Sequence, residues 1–173
     1  SLVRGERRSA THSGERYPIL FAGRGPTPRP NTVYLYGMHP DLLPPYAELH
    51  CVSNFSFLRG ASHAGELVAR AVGLGYTALA VTDECSFAGS VRAHLAARGA
   101  PLRLIHGIEL RLACGMKLVL LAQNRAGYGN LATLATLGRR REAKGAYRLT
   151  RNDLAGWDGS GVPDCLALWI PTA

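Results

Sequence analysis

Long apolar runs are missing from this chain of 173 residues. No stretch approaches the roughly 20 apolar residues that a membrane helix needs. The opening residues, SLVRGERRSATHSGERYP, are polar and basic and lack the apolar centre of a secretory leader. Cysteine is scarce and dispersed: the four residues Cys51, Cys85, Cys114 and Cys165 form no CxxC pair. That spacing argues against disulfides or a zinc ribbon and for buried free thiols in a reducing compartment. Charge is sparse as well. Charged residues make up 18% of the chain against 47% hydrophobic, which excludes a wholly disordered protein and is enough for one domain with its own core.

The charge that is present is unevenly placed. Residues 1–37 hold six arginines against two glutamates, so they carry half of the formal +8. They mix Arg, Gly, Pro, Ser and Thr with little periodicity, as in AGRGPTPRPN. Such a segment cannot bury enough apolar surface to offset its ordering entropy, and disorder is expected. It reads either as a basic tail or as a stretch upstream of a start at Met38, where the composition changes. Residues 38–173 are the expected folded domain, and they are only mildly basic. Nearby nucleic acid is permitted by that charge without being required by it.

From Tyr46 onward strand and helix signals alternate. Residues 47–52 read as a first strand. Ser62 is the expected N-cap of a helix with Glu66 near its start and Gly73 and Gly75 at its end. ALAVTD, 78–83, is a nearly continuous apolar run of the kind buried on both faces. A second helix is expected to carry Phe87, Val91 and Leu95 on one face and to stop at Gly99 and Pro101. RLIHGIEL (103–110) and KLVLLAQ (117–123) lie too close for a crossover helix and are expected to pair as a hairpin. A third helix starts near Gly127, places Tyr128, Leu131, Leu134 and Ala135 on one side, and ends at Arg139, Arg140 and Arg141, whose cations suit a helix C-terminus. Thr150 with Asp153 resembles a capping box. CLALWI, 165–170, is a fifth strand. The order β-α-β-α-β-β-α-β points to an α/β domain with a largely parallel sheet. A chain that stops just after such a strand is expected to be part of a longer protein.

Polar residues recur at the strand ends, where α/β folds place their sites. The first strand delivers His50 and then Arg59 in the loop YAELHCVSNFSFLRG. The second delivers Asp83 and Glu84, the third Glu109, and the fourth opens with Lys117. Three acids and a histidine can hold a divalent metal that activates water for phosphoester hydrolysis. Arg59 and Lys117 bring two cations to the same rim, which opposes that reading. A strand histidine also serves commonly as a packed core residue, so the residues leave open a polar rim or a metal site, present or former.

The segments YAELHCVSNFSFLRGASH, ALAVTDECSFAG, LIHGIELRL and KLVLLAQNRAGYGNL resemble the PHP (polymerase and histidinol phosphatase) domain at the amino end of bacterial DNA polymerase III alpha-type enzymes. LHCVSNFSFLRGASH, TDECS and GRRREAKGAYRLTRNDL are similar to the error-prone branch of that family. The resemblance covers about residues 44–171 and implies a distorted (β/α)7 barrel of which about the first five strands are present. It also implies a cytoplasmic DNA-directed DNA polymerase acting in damage-induced translesion synthesis and repair. The implied partners are DNA, deoxynucleoside triphosphates and accessory proteins, with no membrane. Mg2+ is implied for the polymerase part, whose active site lies outside this chain.

The family's metal pattern transfers poorly. Its His-x-His reads His50 followed by Val52, a loop acid is replaced by Arg59, and Thr-Asp-His reads Thr82-Asp83-Glu84. Gly-x-Glu survives as Gly107-Ile108-Glu109, and a later histidine is Lys117. Ammonium and guanidinium groups have no lone pair to offer a metal. No metal or other cofactor is therefore expected on this segment, and a structural role is expected over a metal-dependent phosphoesterase or 3′–5′ proofreading exonuclease. Arg59 and Lys117 are expected to pair with Glu84 and Glu109, with His50 and Asp83 hydrogen-bonded at the margin.

Overall fold

The computed structural model describes residues 45–155 and 161–171. Residues 1–37, and with them the expected disorder, lie outside the described residues, as does Met38.

Five strands form one sheet in the order β1 (Ala47–Cys51), β2 (Ala78–Val81), β3 (Arg103–Arg111), β4 (Lys117–Ala122) and β5 (Cys165–Ile170). β1, β2 and β3 run parallel, joined through α1 (Ala64–Gly73) and α2 (Ser90–Ala97). β3 and β4 form the expected antiparallel hairpin. β5 pairs antiparallel with β4, so the sheet is mixed, not largely parallel. The cause lies in the connection. α3 (Arg125–Arg140) carries the chain back along the sheet, and the chain re-enters the sheet beside the end of β4, where the Gln123 N–H donates to the Asp164 carbonyl at 2.9 Å. The next strand starts where β4 ended and must run against it. The described strands thus make a curled half-barrel, the partial distorted barrel expected from the sequence.

Alternation along the strands sorts the core. Leu79 and Val81 of β2 turn toward Ala64, Val68 and Ala71 of α1 and Ala93 of α2. Ile108 and Leu110 of β3, with Leu118 and Leu120 of β4, meet Leu131, Leu134 and Ala135 of α3. The opposite face holds Ala80, Val119 and Leu121, with Leu168 and Ile170 of β5 against them. Burying each such leucine contributes about 1.5–3 kcal/mol relative to exposure. Gly107 faces this inner side. A Cβ there would stand 2.6 Å from the Leu120 carbonyl oxygen, so the hairpin closes only around a glycine.

Several local expectations shift. α1 is capped by His63, because Ser62 is held in the preceding loop, its carbonyl accepting the Asn54 N–H at 2.9 Å. The Glu66 carboxylate then accepts the His63 N–H at 2.8 Å. α2 begins after Phe87, so a helical phase counted from Phe87 is wrong. Ser90 and Ala93 are its buried residues, while Val91 and Leu95 are exposed. α3 starts at Arg125, where the Asn124 side chain accepts the Gly127 N–H at 3.0 Å. The expected Thr150–Asp153 capping is present, the Thr150 N–H donating to Asp153 at 2.7 Å. β5 has the expected limits but is not buried: Leu166 and Trp169 are exposed. All four cysteines are free, yet only Cys85 is buried and Cys114 is exposed in the hairpin turn.

Candidate functional site

A one-residue irregularity decides which way His50 points. Glu48 pairs with Leu79 and Cys51 with Val81, so three steps on β1 match two on β2. Cys51 therefore joins the helix-side cluster, and His50 faces the opposite side of the sheet. Bulges of this kind re-aim side chains beside sites. There His50 meets Glu109, which the β3 alternation turns to the same side. The His50 Nε2–H donates to Glu109 Oε2 at 2.7 Å.

Glu109 is the centre of the arrangement and is 1% exposed. Arg59 donates through Nη2 to Oε2 at 2.8 Å and through Nη1 to Oε1, a forked pair. Lys117 lies two residues before Val119, the partner of Glu109 on the neighbouring strand, and places Nζ 3.1 Å from Oε2. Burial alone would raise the Glu109 pKa. The hydrogen bonds from His50, Arg59 and Lys117 outweigh it and hold the carboxyl well below the ordinary carboxylate range. The hydrogen bonds to Glu109 likewise push the Arg59 guanidinium upward.

Glu84 closes the other side. Arg59 Nη1 donates to Glu84 Oε2 at 3.0 Å, so one guanidinium bridges two glutamates. The Tyr147 hydroxyl donates to Glu84 Oε1 at 3.0 Å and accepts the Arg111 N–H at 2.8 Å. Burial pushes the Tyr147 phenol up, which keeps it a donor. Cys85 follows in a left-handed conformation, φ 45°. It is held there by its N–H on the Glu109 carbonyl at 2.8 Å and by Arg139 Nε on its own carbonyl at 3.3 Å.

Five of the six residues read from the sequence thus converge: His50, Arg59, Glu84, Glu109 and Lys117. Two placements differ from expectation. His50 is a central partner of Glu109, not a marginal one. Asp83 is set apart, 1% exposed and enclosed beneath the rim. It accepts the Ser53 N–H, the Ser53 hydroxyl and the Ser56 hydroxyl, each at 2.7 Å. Gly89 presses against it from α2, where a Cβ would fall 2.7 Å from Asp83 Oδ2. Lys117 pairs with Glu109 alone among the described residues.

Sequence reasoning missed Tyr147 and Arg139. Tyr147 lies far along the chain from Glu84, and nothing local marks it. Arg139 is the first of the three arginines read together as cations suited to a helix C-terminus. It instead turns inward, donating to the Glu84 carbonyl at 3.1 Å with its guanidinium 5.2 Å from the Tyr147 ring centre. Ser53 and Ser56 were visible in the loop after β1, but their partner was not.

The donor set does not fit a metal ion. Both oxygens of Glu109 are taken by cationic or imidazole donors, Glu84 is shared between Arg59 and Tyr147, and Asp83 is saturated by neutral donors. Among the described residues no group of three or more His, Cys, Asp or Glu side chains is arranged to hold a metal.

The fold and the site define an α/β half-barrel whose strand-end carboxylates converge on one rim. A PHP domain model matches residues 48–157, and the chain belongs to the PHP family. It is 57% identical over 156 residues to an error-prone DNA polymerase of Azoarcus sp. (strain BH72), covering 75% of this chain and 15% of that protein. It is 64% identical over 130 residues to an error-prone DNA polymerase of Dechloromonas aromatica (strain RCB), covering 75% of this chain and 13% of that protein. The chain therefore spans about one seventh of the length of these relatives. Among solved structures, an amidohydrolase from Chromobacterium violaceum with bound sulfate and no metal aligns with a TM-score of 0.46 at 27% identity. That alignment covers 54% of this chain and 33% of the other, too partial a likeness to carry an argument. No helix among the described residues is long and apolar enough to cross a membrane.

Proposed function

We propose that this chain is the amino-terminal PHP domain of a cytoplasmic, error-prone, DNA-templated DNA polymerase acting in damage-induced translesion synthesis and repair. The observation that carries this reading is the identity of 57–64% to proteins of that name over about three quarters of the chain. The complete enzyme takes DNA and deoxynucleoside triphosphates, uses Mg2+ at carboxylates outside this chain, and works with accessory proteins. The PHP pocket itself is structural. Arg59 and Lys117 supply the fixed positive charge that a bound cation supplies in a metal-dependent phosphoesterase or exonuclease, and they neutralise Glu109 and Glu84 in its place.

Two measurements test the two halves of the proposal. The longer gene product carrying this chain is expected to extend a primer past an abasic template site with Mg2+, and failure to extend any primer overturns the polymerase reading. Elemental analysis of the purified 173-residue chain after dialysis is expected to find no stoichiometric zinc, manganese or iron. Tight stoichiometric metal overturns the structural reading of the pocket.

A further inference from the structure

A groove runs along α2 on the helix-bearing side of the sheet, and it shares no residue with the carboxylate rim. Its larger part, about 540 Å3, lies between α2 and the start of α3, and a second part of about 340 Å3 continues past the end of α2. His94, Leu104 and His106 line both parts, so the two are continuous.

Three features of the groove combine. Its floor is apolar, with Leu104 and Ala122 between the helices. Its walls are ring-bearing: His106 meets Tyr128 edge to face at 5.8 Å between centroids, and His94 lies 6.3 Å from His106. Its charge is of one sign. Arg103 and Arg125 line the larger part and Arg98 the smaller, and no acidic side chain lines either. None of these three arginines pairs with a carboxylate among the described residues. His106 Nδ1 is buried without a hydrogen-bond partner among the described residues. Burial, and then the neighbouring His94, lower the His106 pKa, which favours the neutral imidazole.

We propose that this groove binds a segment of single-stranded nucleic acid, taking a base against His106 and Tyr128 and the adjoining phosphates on Arg103 and Arg125. Rings that accept a base face beside a cationic track are the combination that holds single strands without strong sequence preference. The volume suits this occupant, because a base needs a recess with an apolar floor, and Leu104 and Ala122 form one beside the rings. A duplex does not fit, since its bases are stacked on one another and unavailable to the rings. An acidic peptide without aromatic residues matches the charge but offers no ring to His106 and Tyr128.

The test uses the full chain and a fluorescein-labelled thymidine oligonucleotide, with a second oligonucleotide carrying 5-iodouracil for photocrosslinking. Crosslinks are expected on peptides containing His94, His106 or Tyr128. The double variant Arg103→Glu, Arg125→Glu is expected to bind about tenfold or more weakly, with a salt dependence shallower by about 0.7 per lost phosphate contact. Arg148→Glu, an exposed arginine outside the groove, is expected to leave binding unchanged, and circular dichroism is expected to be the same for all three proteins. Crosslinks confined to residues 1–37 or to Arg139–Arg141 overturn the proposal. So does an equal loss from Arg148→Glu, or an absence of oligonucleotide binding, whether or not an acidic peptide binds instead.

Discussion

Glu109 and Asp83 are each 1% exposed and lie on neighbouring parallel segments, yet they are satisfied in opposite ways. Glu109 is surrounded by Arg59, Lys117 and His50, groups that carry or can carry full charge. Asp83 is surrounded by one backbone N–H and two serine hydroxyls. The first arrangement depends on long side chains arriving from three separate elements. The second depends on one short loop, residues 53–56, whose dipoles are fixed by its own turns. A buried carboxylate needs donors, and full charges are one way among others to provide them.

The comparison breaks most sharply at Arg59. Arg59→Ala removes the forked pair and leaves Glu109 buried with His50 and Lys117. A loss of about 3 kcal/mol is expected, the low end of the 3–5 kcal/mol for stranding one member of a buried pair. Urea denaturation measures it, and a loss well under 1 kcal/mol would mean that the cluster is effectively solvated. Ser56→Ala tests the other carboxylate. It deletes a donor to Asp83 and the acceptor of the Glu84 N–H, 3.0 Å away. About 1–3 kcal/mol is expected, and unlike the Arg59 effect it should change little between low and high salt.

Acid separates the two further. The folded-state pKa of Glu109 is lowered, so its contribution is complete above the unfolded value of about 4.3 and is lost as pH falls below that toward the folded value. In this window the unfolded state binds more protons, so stability must fall with falling pH. The slope approaches about 1.4 kcal/mol per pH unit for one proton. Arg59→Ala should flatten that slope, and urea midpoints measured from neutral pH downward would show it. A slope as steep in the variant as in the parent would remove Arg59 as the cause.

The smallest effect belongs to the surface. Arg141 Nη1 lies 2.7 Å from Asp153 Oδ2, and this contact chiefly holds the Asp153 pKa down to about 2. Arg141→Ala should let the Asp153 value, followed by NMR titration, rise toward the ordinary value of about 3.9. The unfolding midpoint at neutral pH should barely move.

How far the sequence could be read depended on the range of each signal. β5 was legible to its end residues because turn residues and a six-residue apolar run lie side by side. The Thr150–Asp153 cap was legible because its partners sit three residues apart. The direction of β5 was not legible, since it follows from Asp164 lying beside Gln123 at the end of β4. The buried face of α2 was not legible, because small residues, Ser90 and Ala93, do the packing while the larger Val91 and Leu95 stay exposed. At the rim, the strand-end residues could be named from pattern alone. Their partnerships could not. Tyr147 reaches Glu84 across a folded distance that no local spacing encodes, and Asp83 leaves the rim because two serines enclose it from below.

The irregularity in β1 has a consequence for how this strand tolerates change. A substitution at Leu49 alters one side chain. A deletion there removes the extra residue, so β1 would match β2 residue for residue while Glu48 stays opposite Leu79 and Cys51 opposite Val81. His50 then keeps its side of the sheet. Loss of two residues is different: one step on β1 would have to match two on β2, and Glu48 or Cys51 would be forced to the other face. The strand should therefore absorb the loss of one residue at Leu49 better than the loss of two.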